Sequence, residues 1–243
     1  RTGQLKLAEK LLNEGYHAML RAHQRGEPRP KWYSVPLTSV YENLSALARA
    51  RGDSATMIRY IELGQQEHRR ERFPFGEATT LISLADAHRL AGHTDKAIKA
   101  NEQAWQRLEA MGSPFVLFPW MNLALIRTQA NQDQEALVLV NGVLQRAIHY
   151  KRANIVGLAR LCRLILHGRS QDWQAWDDDI GPALRDLRQT NFVDQDIAEC
   201  ATNAAMLASP ERARPLWELA ASQWTALGND DRAAIATKHA GEA

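Results

Sequence analysis

Residues 79–108, TTLISLADAHRLAGHTDKAIKANEQAWQRL, hold one apolar-striped segment ending at Ala91-Gly92 and a second starting at Thr94. Leu81, Leu84, Ala85 and His88 share one side at helical spacing, and Ala97, Ile98, Ala104 and Leu108 do the same in the second segment. The stretch therefore reads as a helix, a tight turn and an antiparallel helix. Gly92 suits the left-handed residue that closes the first helix, and Thr94 is the expected cap of the second.

Sliding the sequence against itself repeats this unit. Small residues at 45, 85, 124, 162 and 201 recur with steps of 40, 39, 38 and 39. A second series, Met57, Ala97, Ala136, Ala175 and Ala213, steps by 40, 39, 39 and 38. Two series with one period identify a repeat array, in which a small residue at each helix crossing lets the backbones approach closely.

These units, a bulky residue followed by an apolar-small pair, a Gly or polar turn and then Ala, resemble tetratricopeptide (TPR) repeats over residues 38–228. Arg51-Gly52-Asp53, Ala91-Gly92-His93 and Ala130-Asn131-Gln132 stand where that family places its inter-helix turn. The period of about 39 exceeds the family's usual 34. In this it is similar to the longer arrays of bacterial signalling ATPases, kinases and transcriptional activators. The resemblance implies an all-α, right-handed superhelical solenoid of about twelve helices, one elongated domain over 1–243. Residues 4–24 read as a leftover second helix, 38–228 as five helix pairs and 230–240 as a C-terminal capping helix.

Net charge is +2 from 30 basic and 28 acidic residues, with the basic residues dispersed, which disfavours nucleic-acid binding. The densest basic run, His68 to Arg72, is read as the end of a helix, where cations complement the dipole. No apolar run is long enough to span a membrane. The two cysteines, Cys162 and Cys200, fall on core stripes and suggest a reducing, cytoplasmic setting. Starting at Arg1, the chain is expected to be a piece of a longer polypeptide.

Residues 26–36, with three prolines, read as a connector in which Trp32 and Tyr33 pack on neighbouring helices. Phe73-Pro74-Phe75, Pro114-Phe115 and Asn191-Phe192 stand just ahead of first helices as hydrophobic staples. Ser209 and Asn229 are expected caps. Gly181-Pro182 should break the second helix of the fourth unit, leaving Asp177, Asp178 and Asp179 as solvated residues ahead of the break.

The eight histidines are dispersed without metal-site spacing, and phosphate-loop, nucleophile-elbow and HExxH motifs are lacking. The expectation is a non-catalytic segment with no cofactor and no metal. Resemblance to the family implies a concave groove lined by first helices. Carried over position by position, it offers Glu42, Arg49, Ile82, Asp86, Arg89, Phe118, Met121, Leu125 and Arg163 as partner-binding residues. Phe118, Met121 and Leu125, three and four apart, are expected to form a central apolar patch. The ligand is then a protein or peptide partner, or another part of the same polypeptide. The second reading is a ligand-sensing regulatory domain, with Trp173 and Trp176 beside Asp177 as pocket walls.

Overall fold

The structure, a computed structural model, describes residues 10–19, 21, 25, 37–50 and 53–242; the connector at 26–36, with Trp32 and Tyr33, lies outside them. Among the described residues every regular element is helical. Residues 10–19 form α1; then follow α2 (Leu37–Ala50), α3 (Ser54–Arg70), α4 (Pro74–Leu90), α5 (Thr94–Ala110), a single 3-10 turn (Pro114–Val116) and α6 (Leu117–Gln129). Next come α7 (Asp133–His149), α8 (Ala153–Ser170), α9 (Trp173–Thr190), α10 (Gln195–Ala205), α11 (Pro210–Leu227) and α12 (Asp230–Glu242). Short turns join them, so α2–α3, α4–α5, α8–α9 and α10–α11 each fold back as a helix pair.

Helix ends follow one rule. Left-handed residues close seven consecutive helices, α3 to α9, at Arg72, Gly92, Gly112, Asn131, Lys151, Gln171 and Asn191. At Gly92 (φ 74°) its N–H reaches Arg89 O at 3.0 Å while His93 N–H reaches His88 O at 2.8 Å, the two bonds of a Schellman cap. Lys151 repeats the pair on Ile148 O and Ala147 O at 3.0 and 2.9 Å. Glycine fills only two of these seven positions, so its pattern in the sequence hides a stop signal that recurs about every 20 residues.

Helix starts are less uniform. Asp53 and Asp172 accept from Thr56 N at 3.0 Å and Ala175 N at 3.1 Å, and Asn229 accepts from Arg232 N at 3.2 Å. Thr94, expected as a cap, is instead the first residue of α5; His93 precedes it and makes no side-chain cap bond. Ser209 holds the cap position of α11, again without a bond, while Pro210 and Glu211 fill the first turn as expected. Pro74 likewise starts α4, which draws Phe75 into the helix rather than ahead of it.

The chain divides into two compact units, Arg1–Pro119 and Trp120–Ala243. In the first, Ala48, Met57, Ile61 and Ala87 pack with Leu84 and Leu90, and Ala78, Leu108 and Val116 form a second cluster with Ile82 and Trp105. Ring contacts run from Phe73 to Phe75 (6.1 Å), on to Phe115 (5.3 Å) and to Phe118 (5.6 Å). The basic run ends α3 as expected, Arg69 bonding Gln65 and approaching Glu77.

In both units the repeat series locates the core, with one shift of register in the second. Residues 45, 85, 124, 162 and 201 are all buried, and so are Met57, Ala97, Ala136 and Ala213. Ala175 is only half-buried. Counted from the helix start, the position held by Met57, Ala97, Ala136 and Ala213 belongs in α9 to Trp176, a fully buried indole. Gly168 of α8 makes room for it: a Cβ there would meet the Trp176 ring and Leu207 at 3.0 Å.

The expected break at Gly181-Pro182 does not occur, because α9 runs as one helix with Pro182 inside it. Proline costs about 3 kcal/mol within a helix. Here Trp176, Ala183 and Leu187 form a buried apolar stripe with Asp179 through the proline turn, and burial of the two large side chains, Trp176 and Leu187, at roughly 1.5–3 kcal/mol each offsets that cost. Nor are the three aspartates merely solvated. Asp177 is held by Arg212 at 2.9 Å, Asp178 accepts from Gln174 at 3.2 Å, and Asp179 is buried.

Candidate functional site

Three of the groove residues expected from sequence meet on two first helices of the first unit. Arg49 of α2 and Arg89 of α4 both reach Asp86, at 2.6 and 2.8 Å, and Asp86 and Arg89 are largely withdrawn from solvent. Two guanidiniums on one carboxylate leave the trio with a net positive charge facing outward at Arg49. The pair made by half-exposed Arg49 contributes little stability, whereas the largely buried Asp86–Arg89 pair holds the carboxylate in place.

Seven residues earlier on each helix, a pocket of about 110 Å³ opens between α2, α3 and α4. Glu42 and Thr79 line it, joined by Thr38, Tyr41, Ser45 and Ser83. Sequence reasoning named Glu42; Tyr41, Tyr60 and His68 it missed. Tyr41 stacks on Tyr60 at 6.4 Å and takes the edge of Tyr16 at 5.7 Å, and burial, followed by the Tyr16 hydroxyl, holds its phenol protonated well above the usual range. Seven residues of helix span about 10 Å, so pocket and trio lie along one face of α2 and α4.

Other expected groove residues are placed elsewhere. Met121 and Leu125 are each 3% exposed, hence core residues that cannot form the central apolar patch. Their three-and-four spacing marks a helix face but does not say whether that face meets solvent or another helix. Phe118 is half-buried against Phe115, and Ile82 packs on the Ala78–Leu108–Val116 cluster. Arg163, in the second unit, turns to α9: its Nε lies 2.9 Å from buried Asp179, which Arg160 (4.0 Å) and His167 (3.5 Å) also flank, while Arg160 pairs with Asp186. This cluster fastens α8 to α9.

The walls expected for a small-molecule pocket are also occupied. Trp176 is core, and Trp173 lies under the Arg212 guanidinium at 5.3 Å. A different pocket, of about 340 Å³, lies among α10, α11 and α12, lined by Glu199, Thr202, Asn203, Trp217, Trp224 and Arg232. Among the described residues no cluster of His, Cys, Asp and Glu is placed to hold a metal ion, and no helix is long and apolar enough to cross a membrane.

No protein-family model and no curated protein matches the sequence. Solved structures are similar in fold. BtubC (BKLC) from P. vanneervenii superposes with a TM-score of 0.61 at 17% identity, over 99% of this chain and 89% of that one. A Rap protein complexed with competence and sporulation factor superposes with a TM-score of 0.60 at 10% identity, over 98% of this chain and 70% of that one. At such identities the likeness concerns the fold alone. The chain has a TPR-like helical repeat fold.

Proposed function

We propose that this chain is a non-catalytic regulatory module that binds a peptide segment along the α2–α4 face of its first unit. The segment belongs to a partner or to the rest of the same polypeptide. One observation carries the reading: a small polar pocket and an ion trio stand about 10 Å apart on the same two first helices. That distance equals about three residues of extended chain. Glu42 at one end and Arg49 at the other give the face opposite charges, which set the direction of a bound segment more than its affinity. The Rap protein of similar fold, complexed with competence and sporulation factor, supports the same reading. So do two buried free thiols, Cys162 and Cys200, for a reducing cytoplasmic setting. A second reading, a small-molecule sensor of the kind found in bacterial signalling proteins, is favoured by the pocket beside Trp217 and Trp224.

The test is selection of a displayed random-peptide library on the immobilised full chain. Ser83, exposed at the pocket rim, is replaced in Ser83→Trp to block the face, and exposed Lys99 of α5 in Lys99→Trp as a control. Selected peptides should survive Lys99→Trp and lose binding to Ser83→Trp. Equal retention by both variants, or failure to enrich any peptide, refutes the proposal.

A further inference from the structure

Three of the hydroxyls that line the pocket between α2, α3 and α4 have their protons committed to backbone carbonyls. A hydroxyl carries one proton. Ser45 Oγ donates its proton to Glu42 O at 2.8 Å, and Thr79 Oγ1 and Thr80 Oγ1 both donate to Gly76 O, at 3.1 and 2.7 Å. The Tyr41 phenol is engaged with Tyr16. What these oxygens keep is lone pairs. Beside them stand the exposed Glu42 carboxylate, which only accepts, and the half-buried Tyr60 ring, of a kind whose face attracts cations; Thr38, Ser83 and His68 complete the polar lining. The volume of about 110 Å³ lies below the range of drug-sized ligand sites and matches one side-chain terminus.

From these committed hydroxyls and the Glu42 carboxylate beside them we infer that the pocket captures a primary ammonium group, supplied by the N-terminus or a lysine of the bound peptide. An ammonium offers three donors and no acceptor, the complement of Glu42, Ser45, Thr79 and Thr80. A carboxylate or phosphate would meet the like charge of Glu42. Guanidinium is also a pure donor, but its rigid planar fork suits paired carboxylate oxygens rather than a compact cup of scattered hydroxyls. This inference rests on the peptide reading above for the identity of the ligand, though not for the chemistry of the pocket.

The test uses n-butylammonium, n-butylguanidinium, n-butanol and butyrate as probes in NMR titrations of the full chain. Butylammonium should shift the amides of Tyr41, Glu42, Thr79 and Thr80 saturably, and the other three should bind at least tenfold more weakly. Glu42→Gln, at an exposed position, should weaken butylammonium at least tenfold, and Ser83→Lys should block it by delivering a tethered ammonium. Equal binding of butanol or butylguanidinium, or unchanged affinity in Glu42→Gln, overturns the inference. Peptides from the library separate the two ammonium sources: α-amine acetylation abolishes binding if the N-terminus is captured, and Lys→Ala does so if a lysine is. Peptides that bind through Ser83 after both changes would leave the peptide-binding face standing and remove the ammonium site. Butylammonium binding without any selected peptide would do the reverse.

Discussion

Replacing Lys151 and Gln171 with glycine should stabilise the protein, although both changes put the residue with the greatest unfolded-state freedom next to a helix. Their φ values are 54° and 57°, in the left-handed region where a Cβ crowds the following carbonyl at about 1–2 kcal/mol per residue. Glycine relieves that crowding and gives back roughly 0.5–1 kcal/mol in chain entropy. The net gain is then about 0.5–1 kcal/mol per site. Both side chains are exposed, so little packing is lost, and the two Schellman caps are made by backbone atoms that the change leaves in place. The sites terminate different helices and should add, giving about 1–2 kcal/mol for the double variant. Urea unfolding followed by circular dichroism at 222 nm reads this as a higher midpoint at unchanged slope. Gly92→Ala, at φ 74°, should lose about 1 kcal/mol in the same assay. A double variant less stable than the parent would refute the assignment of strain to these caps.

Further outcomes follow from other contacts. Ala97→Leu and Ala136→Leu, at fully buried crossings, should each cost about 1–3 kcal/mol, and an unchanged melting temperature would contradict the register. Asp86→Ala should cost roughly 3 kcal/mol, because Arg89 stays largely buried without its counter-ion, whereas Arg49→Ala should cost under about 1 kcal/mol; equal losses in urea unfolding would argue against the trio. Pro182→Ala restores a backbone donor within α9 and should raise stability by up to about 3 kcal/mol, so a lowered unfolding midpoint would show that the proline turn is required. Burial pushes the Cys162 thiol from 9.0 up to about 11, so the folded state resists losing this proton and its stability should fall as pH rises from 9 towards 11. Cys162→Ser should flatten that decline, and an identical pH profile would disprove the linkage.

The helix pairs were legible because a repeat must solve the same packing problem at every crossing. Small residues at 45, 85, 124, 162 and 201 are all buried, since two helices crossing closely leave no room for anything larger. The ion trio was partly legible for a related reason, since Arg49 and Asp86 occupy positions on first helices that the repeat brings side by side. Where one large side chain answers one absent side chain, the pattern failed: Trp176 takes a position otherwise held by Ala or Met because Gly168, on the neighbouring helix, vacates the space. Composition along one helix carries no record of that exchange.

Other features were decided by tertiary structure alone. Pro182 reads locally as a breaker, and only the buried stripe of α9 makes the continuous helix the lower state. Met121 and Leu125 show their helical face in the sequence, but whether that face meets solvent depends on neighbours distant in the chain. Most helix stops use Arg, Asn, Lys or Gln in a left-handed conformation, which the backbone hydrogen bonds enforce against the residue's own preference. The pocket's committed hydroxyls were the least visible feature of all. Ser45, Thr79 and Thr80 are ordinary polar residues in sequence, and their chemistry is set by which carbonyl each hydroxyl finds once α2, α3 and α4 have packed. Periodicity thus specified the helices and their partners, while the direction of each hydroxyl proton, and so the character of the pocket, arose only from packing in three dimensions.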